Sequence, residues 1–161
     1  MSDALLTSAL TIIGGVVVFS LSQIVQKFLI EPVHEQAKVI GEIFFGLVYY
    51  GDRYANPGVG KPEAMAEAAD DIRRYASRLE GTSHAIRWYK LFEFIRLAPD
   101  SKDVKEAVRH LIRISNSIYT GKGRENSEDA DRVKSLLSAS TKKSRIARKW
   151  GRLLFWRRPA R

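Results

Sequence analysis

Gly58, Val59, Gly60 and Lys61 end like a phosphate-binding loop, in which glycines let backbone N–H groups cradle phosphate and a lysine reaches it. That pattern also needs glycine where Ala55 stands and serine or threonine where Pro62 stands, so the stretch reads as a turn entering a helix. His34 and Glu35 open the zinc-protease pattern of two histidines one helical turn apart, but Lys38 occupies the second histidine position. His84 and His110 are far apart in sequence, lack companion ligands, and read as surface or partly buried polar groups. Asp70, Asp71, Arg73 and Arg74 form a charged helix face, and Glu125, Glu128, Asp129 and Asp131 gather near a helix start, where negative charge suits the macrodipole. Tyr49, Tyr50, Tyr54, Trp88 and Tyr89 make either an aromatic patch or ordinary core packing. The absence of cysteine excludes disulfides, thiolate metal sites and cysteine nucleophiles. No residue is assigned to catalysis, to a metal or to a cofactor, and a non-enzymatic protein is expected.

The strongest chemistry in the chain is physical rather than catalytic. The net charge of +9 is concentrated: nine of the 27 basic residues fall between Lys142 and Arg161, and the first 141 positions hold eighteen basic and eighteen acidic residues. Within that tail Ile146, Trp150, Leu153 and Leu154 recur at helical spacing, with Phe155 and Trp156 adjacent. Lys142, Lys143, Arg145, Arg148, Lys149, Arg152, Arg157 and Arg158 fill the rest of the surface. This is the pattern of a basic amphipathic helix lying in a membrane interface, where each cation near anionic lipid contributes on the order of 1 kcal/mol. A solvated basic end and a nucleic-acid-binding end are the alternatives; tryptophans on the apolar face favour lipid over nucleic acid.

At the other end, no charged side chain occurs from Ala4 to Gln26, and Leu5 to Val25 contains twelve residues drawn from Leu, Ile, Val and Phe. As a helix those positions extend about 32 Å, against a hydrocarbon core of about 30 Å, so a transmembrane helix is expected. A cleaved signal peptide would need a basic start and a small-residue cleavage site, whereas Ser2 and Asp3 precede the run and Gln26, Lys27 and Phe28 follow it. Lys27 and Lys38 flank the run on its C-terminal side only, which orients the N-terminus outside and the C-terminus in the cytoplasm. Ala4, Ser8, Thr11, Gly15, Val18 and Ser22 fall at steps of four and three, forming a mostly small-residue seam where a second helix can approach.

Between these ends the spacing predicts helices. Pro32 predicts a kink or restart, followed by a helix to about Tyr50 with Val33, Ala37, Ile40, Phe44 and Leu47 inward, widened by Val39, Ile43 and Tyr50. Asn56 to Gly60 form a loop. A helix from Pro62 to about Leu79 carries Met65, Ala68, Ile72, Ala76 and Leu79 on one side and ends at Gly81. An aromatic helix is expected from Ser83 to Leu97, then one capped by Ser101 and running to about Tyr119, with Val104, Ala107, Val108, Leu111, Ser115 and Ile118 inward. Gly121, Lys122, Gly123 and Arg124 read as a flexible turn before a short helix capped by Ser127. The expectation is an all-α chain: a transmembrane anchor (1–31), a cytoplasmic helical bundle (32–140) and a basic amphipathic tail (141–161).

The uncharged run, the exit Ile30-Glu31-Pro32-Val33-His34-Glu35-Gln36, the loop Tyr54-Ala55-Asn56-Pro57-Gly58, the segment Arg87-Trp88-Tyr89 and the stretch Leu111 to Ser117 resemble a group of uncharacterised bacterial single-span membrane proteins. The resemblance covers residues 5 to about 138. It implies a bacterial cytoplasmic membrane and a cytoplasmic helical domain, and carries no function or site residue with it.

The sequence therefore points to a membrane-tethered helical interaction or scaffold module, binding anionic lipid through its tail and a second copy or a membrane protein through its seam. A membrane-active effector or pore subunit, and an accessory subunit of a larger membrane complex, are the other two readings.

Overall fold

A computed structural model describes residues 2–138, and among these every regular element is helical. The tail residues named above, from Lys142 to Arg161, lie outside the described residues, as does the side chain of Ala4.

Helix α1 (Ser2–Val25) does not stop at the expected break. It passes through one widened turn, Gln26–Ile30, directly into α2 (Glu31–Tyr49). In that turn the Glu31 N–H reaches back five residues to the Gln26 carbonyl. The cause is Pro32, which has no N–H to donate and whose ring crowds the carbonyl four residues earlier; widening the preceding turn accommodates the ring without breaking the helix. The result is one continuous helix, apolar and long enough at its N-terminal end to cross a membrane.

The face that α2 buries is rotated from the expected one. Gln36, Val39, Ile43, Gly46 and Leu47 are buried, while Ala37 is exposed and Val33, Ile40 and Phe44 are half-buried. After a short α3 (Gly51–Ala55), Gly58 (φ 78°) and Gly60 (φ 120°) take left-handed turns that lead into α4 (Pro62–Ala85). All five apolar residues predicted to face inward on α4 are buried. The helix runs past Gly81, and the Thr82 and Ser83 hydroxyls donate back to the Arg78 and Leu79 carbonyls within it.

The expected aromatic helix is broken. Ile86 is extended (φ −80°, ψ 102°) and tucks its side chain into the interior, so Ser83 to Ala85 belong to the end of α4 and a separate α5 (Tyr89–Phe94) follows. Helix α6 (Ser101–Ser117) is capped by Asp100 rather than Ser101: the Asp100 carboxylate accepts from the Lys102 N–H at 2.9 Å. Its predicted inward face is buried throughout. Helix α7 (123–138) starts at Gly123, four residues before the predicted cap.

Helix α4 packs against both α2 and α6. Ala68, Ala69 and Ala76 keep its core surface low, and the buried Ile43, Leu47, Ile72, Leu79, Leu111, Ile114 and Val133 meet there from four helices. A second, smaller apolar cluster of Ile86, Phe92 and Ala98 packs against Leu29, Val33 and Tyr89, joining α5 to the long N-terminal helix where α1 passes into α2.

Candidate functional site

Leucine, isoleucine, valine and phenylalanine side chains of α1 point outward all round the helix. Leu10 is 69% exposed, Ile12 67% and Phe19 65%, and among the described residues nothing else covers them. Three hydroxyls on this helix are turned onto its own backbone: Thr7 donates to the Asp3 carbonyl, Thr11 to Thr7 and Ser22 to Val18, each at 2.8 Å. A threonine or serine satisfied in this way presents little beyond its carbon surface to the surroundings. Along the predicted seam, Ser8, Thr11, Gly15, Val18 and Ser22 are all exposed, and the space beside Gly15 is open.

Where this helix leaves its apolar stretch, α5 is held against it by a buried polar clamp. Gln36, 1% exposed, donates from Nε2 to the Ser83 hydroxyl at 2.8 Å and to the Tyr89 phenol at 3.1 Å. Tyr89 in turn donates to the Pro99 carbonyl at 3.0 Å. One amide thus ties α2, α4, α5 and the turn before α6. Burial pushes the Tyr89 phenol up from its ordinary pKa, and Glu93 and Asp100 add to the effect while the hydrogen bonds from Gln36 and Ser83 oppose it. Nothing in the local sequence pattern marks Gln36 as part of a site, because its partners lie 47 and 53 residues away.

Beside this clamp runs a groove of about 500 Å³ between the end of α4, α5 and α6. Buried Ile86, Val104 and Val108 and half-buried Tyr89 give it apolar walls, while exposed Lys90, Lys105 and Arg109 stand along it with Glu80 and His84. The one hydroxyl at its α4 end, that of Ser83, donates to the Leu79 carbonyl at 2.6 Å. The lining suits an apolar or amphipathic molecule carrying negative charge.

The residues weighed for chemistry disperse. His34 and His84 are exposed, on different helices. His110 is hydrogen-bonded through Nδ1 to Asp129 at 2.7 Å and faces Glu106 with Nε2 at 3.6 Å, and Arg113 reaches the same Asp129 oxygen at 3.0 Å. Nδ1 thus helps hold α6 to α7, while Nε2 faces an acid of its own helix. The other Asp129 oxygen is buried without a hydrogen-bond partner. Asp71 accepts from Tyr50 at 2.5 Å and pairs with Arg74 at 3.2 Å. Among the described residues no three histidine or acidic side chains gather as a metal site.

The predicted aromatic set divides. Tyr49 and Tyr50 meet edge to face with centroids 4.9 Å apart, and Tyr54 is buried, donating to the Leu47 carbonyl at 2.8 Å. Tyr89 belongs to the clamp, and Trp88 is exposed beside it. Gly123, expected in a flexible turn, is buried instead: a Cβ there would lie 1.8 Å from the Ala55 carbonyl oxygen.

The chain matches no known protein family, no characterised protein and no solved structure.

Proposed function

We propose that this protein is a membrane-tethered, non-enzymatic helical interaction or scaffold module. The observation that carries the reading is the exterior of α1, apolar on every side, uncovered by the other described residues, and with Thr7, Thr11 and Ser22 hydroxyls closed onto their own backbone. A hydrocarbon surrounding makes such a surface favourable, since leaving each large apolar side chain in water costs about 1.5–3 kcal/mol.

On this reading the bilayer holds residues 5–25, and Lys27 and Lys38 keep the helical domain in the cytoplasm. The resemblance to bacterial single-span proteins supports the bacterial cytoplasmic membrane as the site. The basic tail binds anionic lipid of the same leaflet. The seam on α1 receives a second copy or the helix of a membrane protein, and the helical domain presents surfaces to a partner in the cytoplasm. The Thr7, Thr11 and Ser22 hydroxyls, bonded to their own backbone, support a tether over a water-filled pore.

The test is fractionation of the full chain followed by crosslinking and mass spectrometry in its native membrane. Pelleting with membranes, resistance to alkaline carbonate and reproducible crosslinks to itself or to a membrane protein are expected. A chain that stays dissolved after ultracentrifugation without detergent overturns the tether, and enzyme-like turnover by the purified protein overturns the non-enzymatic role.

A further inference from the structure

We propose that segment 88–97 is a second membrane contact, an apolar ridge lying in the lipid headgroup layer beside the span and setting how the helical domain sits on the bilayer. The proposal rests on α1 being a span.

Five large apolar side chains within these ten residues face away from the protein: Trp88, Leu91, Phe94, Ile95 and Leu97, with Phe94 83% exposed. The inward side of the same segment, Tyr89 and Phe92, packs into the cluster that contains Leu29 and Val33. That contact fixes the depth. Leu29 is four residues past Val25, about 6 Å along the helix, and the polar layer outside the hydrocarbon is about 5–8 Å thick on each side. The segment packed on Leu29 is therefore at headgroup depth. A protein partner covering this ridge would have to occupy space that lipid already fills.

Charge and backbone agree. Arg87, Lys90 and Arg96 are interleaved with the apolar residues and exposed, which suits a ridge lying among anionic headgroups. Glu93, the one acid in the segment, turns instead toward the start of α6, where its carboxylate accepts from the Ser101 N–H at 3.4 Å. Helix α5 ends in a left-handed turn at Arg96 (φ 61°), with the Leu97 N–H bonded to the Phe92 carbonyl at 2.8 Å and the Arg96 N–H to Glu93 at 3.0 Å. This position ordinarily holds glycine, and an arginine there is locally strained. Past this turn Leu97, like Phe94, remains exposed.

The test uses the full chain carrying Trp150→Phe and Trp156→Phe, so that Trp88 is the sole tryptophan, reconstituted in phosphatidylcholine–phosphatidylglycerol vesicles. Flotation after a carbonate wash reports the span, and Trp88 fluorescence with brominated lipids and aqueous iodide reports the ridge. Expected are a blue-shifted emission, quenching by bromines placed high on the acyl chain and protection from iodide. Adding Phe94→Ser and Leu97→Ser, both exposed positions, should cut the bromolipid quenching at least about twofold with helical circular dichroism unchanged. Flotation with Trp88 red-shifted and open to iodide overturns the ridge and leaves the tether standing. Failure to float overturns both.

Discussion

Gln36 Nε2 stands 3.1 Å from the phenolic oxygen of Tyr89, and this one bond joins the helix that leaves the apolar span to the short helix that flanks it. The amide is buried at the centre of four elements, so its removal strands the Tyr89 and Ser83 oxygens as well as its own space. Gln36→Leu should lower the stability of the detergent-solubilised chain by about 1–3 kcal/mol. Tyr89→Phe, which leaves the Gln36–Ser83 bond, should cost about 1–2 kcal/mol because the Pro99 carbonyl loses its donor. Thermal unfolding followed by circular dichroism measures both; if Gln36→Leu melts at the wild-type temperature, the clamp does not hold the domain together.

How far the sequence discloses this arrangement depends on whether the information is local. The inward faces of α4 and α6 follow from helical period, because apolar residues at steps of three and four have only one way to be buried together. On α2 the same logic selects Ala37 and Val33 over Gln36 and Gly46, since neither a glutamine nor a glycine scores as core. Gln36 is inside because two distant oxygens meet it there, and Gly46 because the Tyr75 ring lies across it, with the ring edge 2.3 Å from where a Cβ would be. The late start of the aromatic helix likewise depends on the tertiary pocket that draws Ile86 inward. The outward ridge at 88–97 is visible only once Leu29 is known to be its neighbour.

Gly123 illustrates the same limit and gives a sharp expectation. The start of α7 presses so closely on the end of α3 that a methyl group would overlap the Ala55 carbonyl, and Asn126 one turn on donates to the Tyr54 carbonyl at 3.0 Å. Gly123→Ala should destabilise by about 1–3 kcal/mol despite alanine's better helix propensity. The contrasting change Gly81→Ala, at an exposed mid-helix site with open space around it, should stabilise by about 0.5–1 kcal/mol. Opposite signs in denaturant unfolding are the expected result, and equal effects would remove the close contact from consideration.

Asp129 collects His110 and Arg113 on one oxygen while the other is buried and unbonded, so the site favours a carboxylate only while both donors are present. Asp129→Ala should loosen α7 from α6 at a cost of about 2–4 kcal/mol, and His110→Ala should cost less in the Asp129→Ala background than alone. A double-mutant cycle with no coupling would show that the two side chains act independently.

Alkaline pH should weaken the fold through its tyrosines. Burial is the largest cause raising the pKa of Tyr50, Tyr54, Tyr75 and Tyr89, and Asp71, which accepts the Tyr50 hydroxyl, raises Tyr50 further. Below about pH 10 the phenols are protonated in both states and contribute no pH dependence. Above that the unfolded chain releases these protons while the folded chain keeps them, so stability falls as pH rises toward the folded-state values. Melting temperature measured from about pH 8 to 11 should be flat and then drop, and Tyr50→Phe should shallow the drop. A profile unchanged by Tyr50→Phe would assign the alkaline loss elsewhere.

The seam on α1 makes a prediction that separates self-association from anchoring. Gly15 sits at its middle with open space where a side chain would stand, flanked one turn away by Thr11 and, on the other side, by Val18. Helices packing there approach through the missing side chain, and the Thr11 hydroxyl, bonded to Thr7, adds no bulk of its own beyond a methyl. Gly15→Leu should leave membrane insertion intact, since leucine favours hydrocarbon by about 0.5 kcal/mol, while reducing crosslinked dimer severalfold. Gly14→Leu, one position round the helix and equally open, is the matched control and should retain the dimer. If both variants crosslink like the parent chain, copies do not meet through this face, and the tether acts alone or through a different partner.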